Sequence, residues 1–344
     1  VEVTQDTFKP LSTKNPLLAG GEGLGQNLNN DFDTDTFSST TSATFSSNWV
    51  IGAVDGVANE EKVGATYDWE VNLVTSFDGK DSLDVTLEAG EGGATLTEMD
   101  LTETSDAINV GSIAYTRSVG DYLTLYVSPA GGGDGTTLFT KACKYEGQTN
   151  ALDDCSNFLT NMDQGLGSAF GAAVDLDNGL GVAFGYEGQD NHVGIGTEEG
   201  TDLYSVNFSY VKDSFGVSYV YSEQETVEVQ ALNAFYTPGL DRFPSISVGL
   251  EWAHYDANAS DADETSHYFV GAQFDNVGNG NLGAAVGSKT PYFENADAEV
   301  MWEAYYAYNY ADGITITPVV YVKENAASST DDETGIILKT TFEF

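Results

Sequence analysis

Three histidines (His192, His254, His267) and two cysteines (Cys143, Cys155) have the widest chemical reach in this chain, and their spacing supports no reaction centre. The histidines are isolated. No His-x3-His or Cys-x2-Cys pair offers metal-ligand spacing, and no nucleophile motif accompanies them. Each histidine is expected in a loop or a wall. Asp31-x-Asp33-x-Asp35 opens like a calcium loop, but Thr36 stands where that loop needs Gly and Ser42 where it needs a bidentate Glu. It reads as a solvated acidic arm. Gly131-Gly132-Gly133-Asp134-Gly135 opens no helix after a buried parallel strand, so it is a flexible loop rather than a phosphate cradle. No enzyme is expected, and no cofactor beyond divalent cations loosely held by acidic loops.

Cys143 and Cys155 lie in a polar, Gly-rich stretch. In an oxidising compartment they would close a small loop, contributing about 3 kcal/mol by restricting its unfolded forms. Two unrelated thiols are the alternative.

The remaining chemistry belongs to carboxylates. Asp68, Glu70, Asp84, Glu88, Glu251, Glu303 and Glu343 fall on the polar face of alternating segments, against fewer bases, Lys62, Lys289, Lys323 and Lys339. Such a face, if it lines a pore, favours cations by direct Coulomb attraction. Acids in the stretches 261–264 and 331–333 belong to solvated loops, where salt screens them.

Long alternating segments must position these groups. Over residues 62–77, Val63, Ala65, Tyr67, Trp69, Val71, Leu73 and Phe77 share one face, and Asp68, Glu70 and Asn72 the other. The turn Asp78-Gly79-Lys80 follows, then Leu83, Val85, Leu87 and Ala89 alternate against Asp84, Thr86 and Glu88, which predicts a hairpin. Sixteen such strands are expected, near 42–53, 62–77, 81–90, 108–118, 121–129, 167–176, 179–187, 201–211, 215–224, 227–237, 245–255, 267–275, 282–290, 299–311, 314–323 and 335–344. The facing of 108–118 and 227–237 stays ambiguous. Connections alternate between short turns and longer acidic loops, with 225–226 as an exception.

The apolar face carries aromatics near strand ends, among them Trp69, Trp252, Tyr306, Tyr308, Phe342 and Phe344. Ten-residue strands, an even count, short and long connections on opposite sides and aromatic ends describe an all-β, 16-stranded antiparallel transmembrane barrel with short periplasmic turns and long external loops. Closure satisfies every backbone group in lipid, which an open sheet cannot do. The expected division is an irregular N-terminal arm over 1–40 and an outer-membrane barrel over 41–344.

Composition agrees. Of 344 residues, 54 are Asp or Glu and 12 Lys or Arg, a formal charge of −42, so no basic footprint exists for nucleic acid. Hydrophobic residues at 41% and aromatics at 12% exclude a solvated polyanion. No apolar run is long enough for a transmembrane helix. The chain begins at Val1 without a leader-like segment, as a mature exported protein would.

Phe243-Pro244-Ser245-Ile246-Ser247-Val248-Gly249, Trp302-Glu303, Ile314-Thr315-Ile316-Thr317-Pro318 and the terminal Lys339-Thr340-Thr341-Phe342-Glu343-Phe344 resemble the cyanobacterial major outer-membrane porins, relatives of the carbohydrate-selective porins. Phe37-Ser38-Ser39-Thr40-Thr41 and Ser76-Phe77-Asp78-Gly79-Lys80-Asp81-Ser82-Leu83 resemble the same family, some of whose members are called iron-uptake porins. Residues 1–36 lack its usual surface-layer-homology domain and coiled coil. The resemblance implies an outer-membrane homotrimer, partnered by lipid, that passes inorganic ions and small polar solutes. It also implies that Phe344 marks the chain for membrane insertion, and that 130–166 is a third external loop folded into the barrel to narrow it.

Small inward positions, Gly167, Gly171, Gly181, Ala183, Gly185, Gly283, Ala285 and Gly287, fit either close approach of that loop or a low-bulk, water-filled wall. The function expected is passive diffusion with weak cation preference through Asp68, Glu70, Asp84, Glu88, Glu251, Glu303, Lys339 and Glu343. The alternative is a barrel whose acidic loops chiefly bind divalent ions or a surface partner.

Overall fold

The computed structural model describes residues 40–56, 62–92, 96–130, 135–157, 167–189, 194–197, 200–240, 243–256, 264–288, 292–293, 299–324 and 331–344. The acidic arm with Asp31, Asp33 and Asp35, most of the Gly131–Gly135 run, His192 and Lys289 lie outside the described residues.

Alternation between a branched or aromatic residue and a small or polar one runs through most strands, because each presents one face to each side of a single wall; β4 (Asn109–Val119), whose facing the sequence leaves ambiguous, breaks it with two register shifts against its neighbours. In chain order the strands are β1 (Thr41–Asp55), β2 (Val63–Thr75), β3 (Asp81–Glu91), β4 (Asn109–Val119), β5 (Leu123–Ala130), β6 (Ser168–Asp175), β7 (Leu180–Gly188), β8 (Asp202–Lys212), β9 (Phe215–Gln224), β10 (Val227–Tyr236), β11 (Ser245–Tyr255), β12 (Glu264–Phe274), β13 (Gly280–Ser288), β14 (Tyr292–Phe293), β15 (Val300–Ala311), β16 (Ile314–Lys323) and β17 (Glu333–Glu343). The two-residue β14 pairs with the end of β12 and was not expected; the other sixteen are the expected segments. Each long strand pairs antiparallel with the long strands before and after it, and β1 pairs with β17, so the sheet closes. At the seam Phe45 and Phe344 exchange backbone hydrogen bonds of 2.8 and 3.0 Å.

Burial separates the two sides of the wall. Along β11, Ser245, Ser247, Gly249, Glu251 and Ala253 are buried while Ile246, Val248, Leu250 and Trp252 are exposed. The exposed set defines the outer face, which bears Phe170, Phe184, Phe208, Trp302 and Leu338 elsewhere. Strand β10 resolves its ambiguous facing in the same way, with Val229, Ala231, Asn233 and Phe235 inward. Aromatics band the outer face near both ends: Trp252 and Trp302 toward the long loops, Tyr308, Tyr310 and Phe344 toward the short turns.

The short turns carry their own chemistry. In the β2–β3 turn, Asp81 accepts hydrogen bonds from Ser76 Oγ and from the backbone N–H groups of Phe77 and Asp78. Gly313, at φ 70°, closes the β15–β16 turn in the left-handed region.

Candidate functional site: the lumen

Inside the wall lies protein rather than an empty bore. After β5 the chain forms one helical turn, α1 (Gly135–Leu138), whose Leu138 packs with Ala114, Tyr126, Ala169, Ala173 and Ala183 of the wall. It then travels around the inner face. Thr140 N donates to Asn207 Oδ1 of β8, Ala142 N to Ser218 Oγ of β9 and Lys144 N to Ser247 Oγ of β11, at 2.8–2.9 Å. Asn233 of β10 donates from Nδ2 to the Cys155 carbonyl at 2.6 Å. His267 of β12 gives its Nε2 proton to the Ser288 carbonyl, leaving Nδ1 to accept from Ser156 Oγ at 3.1 Å. Backbone groups of a segment without regular structure need partners once buried, and these short polar side chains supply them.

Cys143 and Cys155 form a disulfide that ties the two ends of this crossing, and Lys141 pairs with Asp154 at 2.8 Å inside the same loop. A second segment, 96–107, enters between β3 and β4 through a 3₁₀ turn at Thr97–Met99. Leu96 and Met99 join Tyr145, Leu152 and Cys155 in one apolar core with the wall residues Phe269, Met301, Tyr305, Tyr321 and Ile337. Asn150 N donates to the Glu98 carbonyl at 3.0 Å, which joins the two segments.

The small inward positions divide by cause. A Cβ on Gly171 would overlap Leu138, and one on Gly287 would lie 3.1 Å from Leu152, so these glycines admit the inner segment. Gly249 and Gly271, not singled out in the sequence, do the same for Cys155 and Tyr145. Gly283 instead accommodates the ring of its cross-strand neighbour Tyr305, and Gly181 the Ser209 hydroxyl. Each of these six glycines has a neighbour where a side chain would stand.

The acidic positions divide as well. Glu303 is 1% exposed and accepts from Tyr145 Oη at 2.7 Å and Gln148 N at 3.0 Å. Glu251 is 2% exposed on β11. Glu303 sits beneath the crossing loop that bonds it, and Glu251 is shut off from water on the same inner wall. Asp68 is also buried: Oδ1 accepts from Asn48 N and Nδ2, and Oδ2 from Thr102 N of the second segment. Glu70, by contrast, is exposed, and Asn72, Asp84, Thr86, Glu88 and Ser112 are half-buried. Glu70 and Glu88 are direct cross-strand partners. At the level of the inner segments, water therefore meets the wall along β2–β4. Lys339 is half-buried on β17, Glu343 is exposed at its short-turn end, and Lys62 is exposed just before β2.

The aromatic set stands outward. Phe344 is 82% exposed, its ring 5.0 Å from Phe45; Trp69 stacks on Phe45 at 6.3 Å, and Phe342 lies 4.9 Å from Trp49. Tyr306 donates to the Val277 carbonyl, and Trp252 and Tyr308 are exposed. His254 is exposed near Glu264 at 3.9 Å. Among the described residues, no group of three or more His, Cys, Asp or Glu is arranged to hold a metal ion.

No family model matches the chain, and no curated protein does. Solved structures do. An engineered variant of the Rhodopseudomonas blastica porin superposes with a TM-score of 0.59 at 16% identity, over 88% of this chain and 100% of that one. The fold is a porin fold. A triple mutant of the same porin gives 0.56 at 14% identity with the same coverage. At such identities the likeness is one of fold, a closed barrel of sixteen long antiparallel strands.

Proposed function

We propose that this protein is an outer-membrane porin that passes ions and small hydrophilic solutes by passive diffusion, with a weak preference for cations. The observation that carries the reading is the uncovered inner wall along β2–β4. Its charged inward groups in contact with water are Glu70, Asp84 and Glu88, whereas Glu251 and Glu303 are buried, Glu303 under the crossing loop. At an effective dielectric near 20, a cation about 5 Å from one carboxylate gains roughly 3 kcal/mol before screening. Salt and water leave a fraction of that, enough for a several-fold preference and too little for an ion-specific filter.

The crossing loop 135–157 acts as the constriction in this reading, with the short turns toward the periplasm and the long loops outside. The lipid-facing aromatic bands seat the barrel in the outer membrane. From its sequence resemblance we further place the chain beside the cyanobacterial major outer-membrane porins and infer a homotrimer. A groove of about 910 Å³ on the outer face, lined by Phe45, Trp49, Trp69, Phe342 and Phe344, offers an apolar surface for lipid or a neighbouring copy. Purified protein added to planar bilayers should give stable open steps that carry potassium better than chloride. A sealed bilayer would refute the proposal.

A further inference from the structure

The second inner segment, residues 96–107, is held by a charged device as well as by its apolar core. Lys323 at the end of β16 places Nζ 2.5 Å from Glu98 Oε1 and 2.8 Å from Glu333 Oε2. Lys323 and Glu333 are cross-strand partners, so those two charges are already paired within the wall. Glu98 is the extra member, and it belongs to the segment that crosses inside. All three side chains are largely withdrawn from water, at 16–18% exposure. Breaking such a group strands a charge in a poor solvent, unlike the Arg117–Asp78 pair, which sits at 39% and 46% exposure in the β2–β3 turn region. Glu98 also accepts, through its carbonyl, the hydrogen bond from Asn150 N, so the residue that meets Lys323 also meets the crossing loop.

We propose that the Glu98–Lys323–Glu333 bridge is a latch that fixes the β3–β4 segment inside the barrel, making this segment a second constriction element and Lys323 a positioning residue for pore size. The inference rests on the reading that the barrel conducts. The 3₁₀ turn fills the lumen in front of Tyr321 and Ile337, and the crossing loop fills it in front of β8–β15. Together they leave Glu70, Asp84 and Glu88 of the β2–β3 wall to water, while Asp68 and Gly90 are covered by the 96–107 segment. Loss of the latch frees the first of these fillings while the disulfide-tied loop stays seated.

The test compares wild type with Lys323→Met, Glu98→Gln and Lys323→Arg, by single-channel recording and by liposome swelling in neutral sugars of increasing size. The first two variants change the charge in opposite senses. A common rise in exclusion limit for uncharged sugars, with a larger conductance step, is therefore the signature of a latch and not of pore electrostatics. Lys323→Arg should keep the wild-type limit. Unchanged limits in both disrupting variants, with the heat-modifiable barrel intact, would overturn the latch and leave the porin reading standing. Should those variants fail to assemble, Glu98→Cys paired with Lys323→Cys gives the second measurement. Oxidised, it should match wild type, and reduction should widen it beyond wild type under the same reductant; no widening overturns the proposal. A wild type and variants that all seal the bilayer would overturn the porin reading and the latch together.

Discussion

Tyr145 of the crossing loop donates its phenol proton to Glu303 of β15 at 2.7 Å, so one buried carboxylate seats the loop against the wall. Burial, with the Glu303 charge beside it, pushes the Tyr145 phenol far above its usual range, so it stays a donor at any working pH. Tyr145→Phe removes the donor and leaves Glu303 Oε1 with Gln148 N. A loss of about 1–3 kcal/mol is expected, read as a lower unfolding temperature and noisier open-channel current. Wild-type noise and stability in the variant would show that the bond does not seat the loop.

Gly249 lies where the Cys155 carbonyl passes, and a Cβ there would overlap it. Gly249→Val suits a strand but not that contact. The expected cost is about 1–3 kcal/mol of overpacking, taken up by displacement of the loop, because the wall is fixed by ladders on both sides. Single-channel conductance should rise. A smaller or unchanged step would place the loop elsewhere.

The chain has two cysteines, and they are bonded to each other. Thiol labelling of unreduced, denatured protein should therefore detect none. Cys143→Ser with Cys155→Ser should lower stability by about 3 kcal/mol, the entropy returned to the unfolded loop. Stoichiometric labelling of the wild type would remove the bond from the account.

Asp153 sits in the crossing loop with Oδ1 closed off from water and unpartnered. Burial first, then the neighbouring Asp154 and Asp100, push its carboxyl up to about 8. The released loop would have an ordinary carboxylate near 3.8. Below that value both states hold the proton and nothing is gained or lost. Between it and about 8 the released state binds fewer protons, so docking weakens as pH rises and strengthens on acidification. Thermal unfolding of wild type relative to Asp153→Asn should show the wild type gaining stability from pH 8 to pH 5. Parallel pH profiles would contradict the assignment.

The wall was largely legible in the sequence, because a period of two over about ten residues survives in most strands; 108–118 stayed ambiguous because β4 carries two register shifts. What occupies the lumen was less so. Glu70 and Glu303 look alike on their strands, and what separates them is a loop far away in sequence that covers one and misses the other. A hint was present in Asn207, Ser218, Asn233 and Ser247, inward residues too short and neutral to line an acidic pore. They fit better as partners for passing backbone. The 96–107 segment carried no comparable signal, since Leu96 and Met99 join a core assembled from distant strands, β1, β12, β13 and β15–β17, and from the crossing loop.

In the porin reading, carboxylates left in water along β2 and β3 favour cations, and the zero-current potential under a salt gradient reports that preference. Glu70→Gln, Asp84→Asn and Glu88→Gln together should move that potential toward neutrality and lower the conductance in dilute salt, because fewer counter-ions enter the lumen. Glu251→Gln, whose carboxylate is buried away from water, should leave selectivity nearly as it is in any variant that folds. An unchanged potential in the triple variant would show that ions pass far from this wall and that the charge of −42 acts outside the pore.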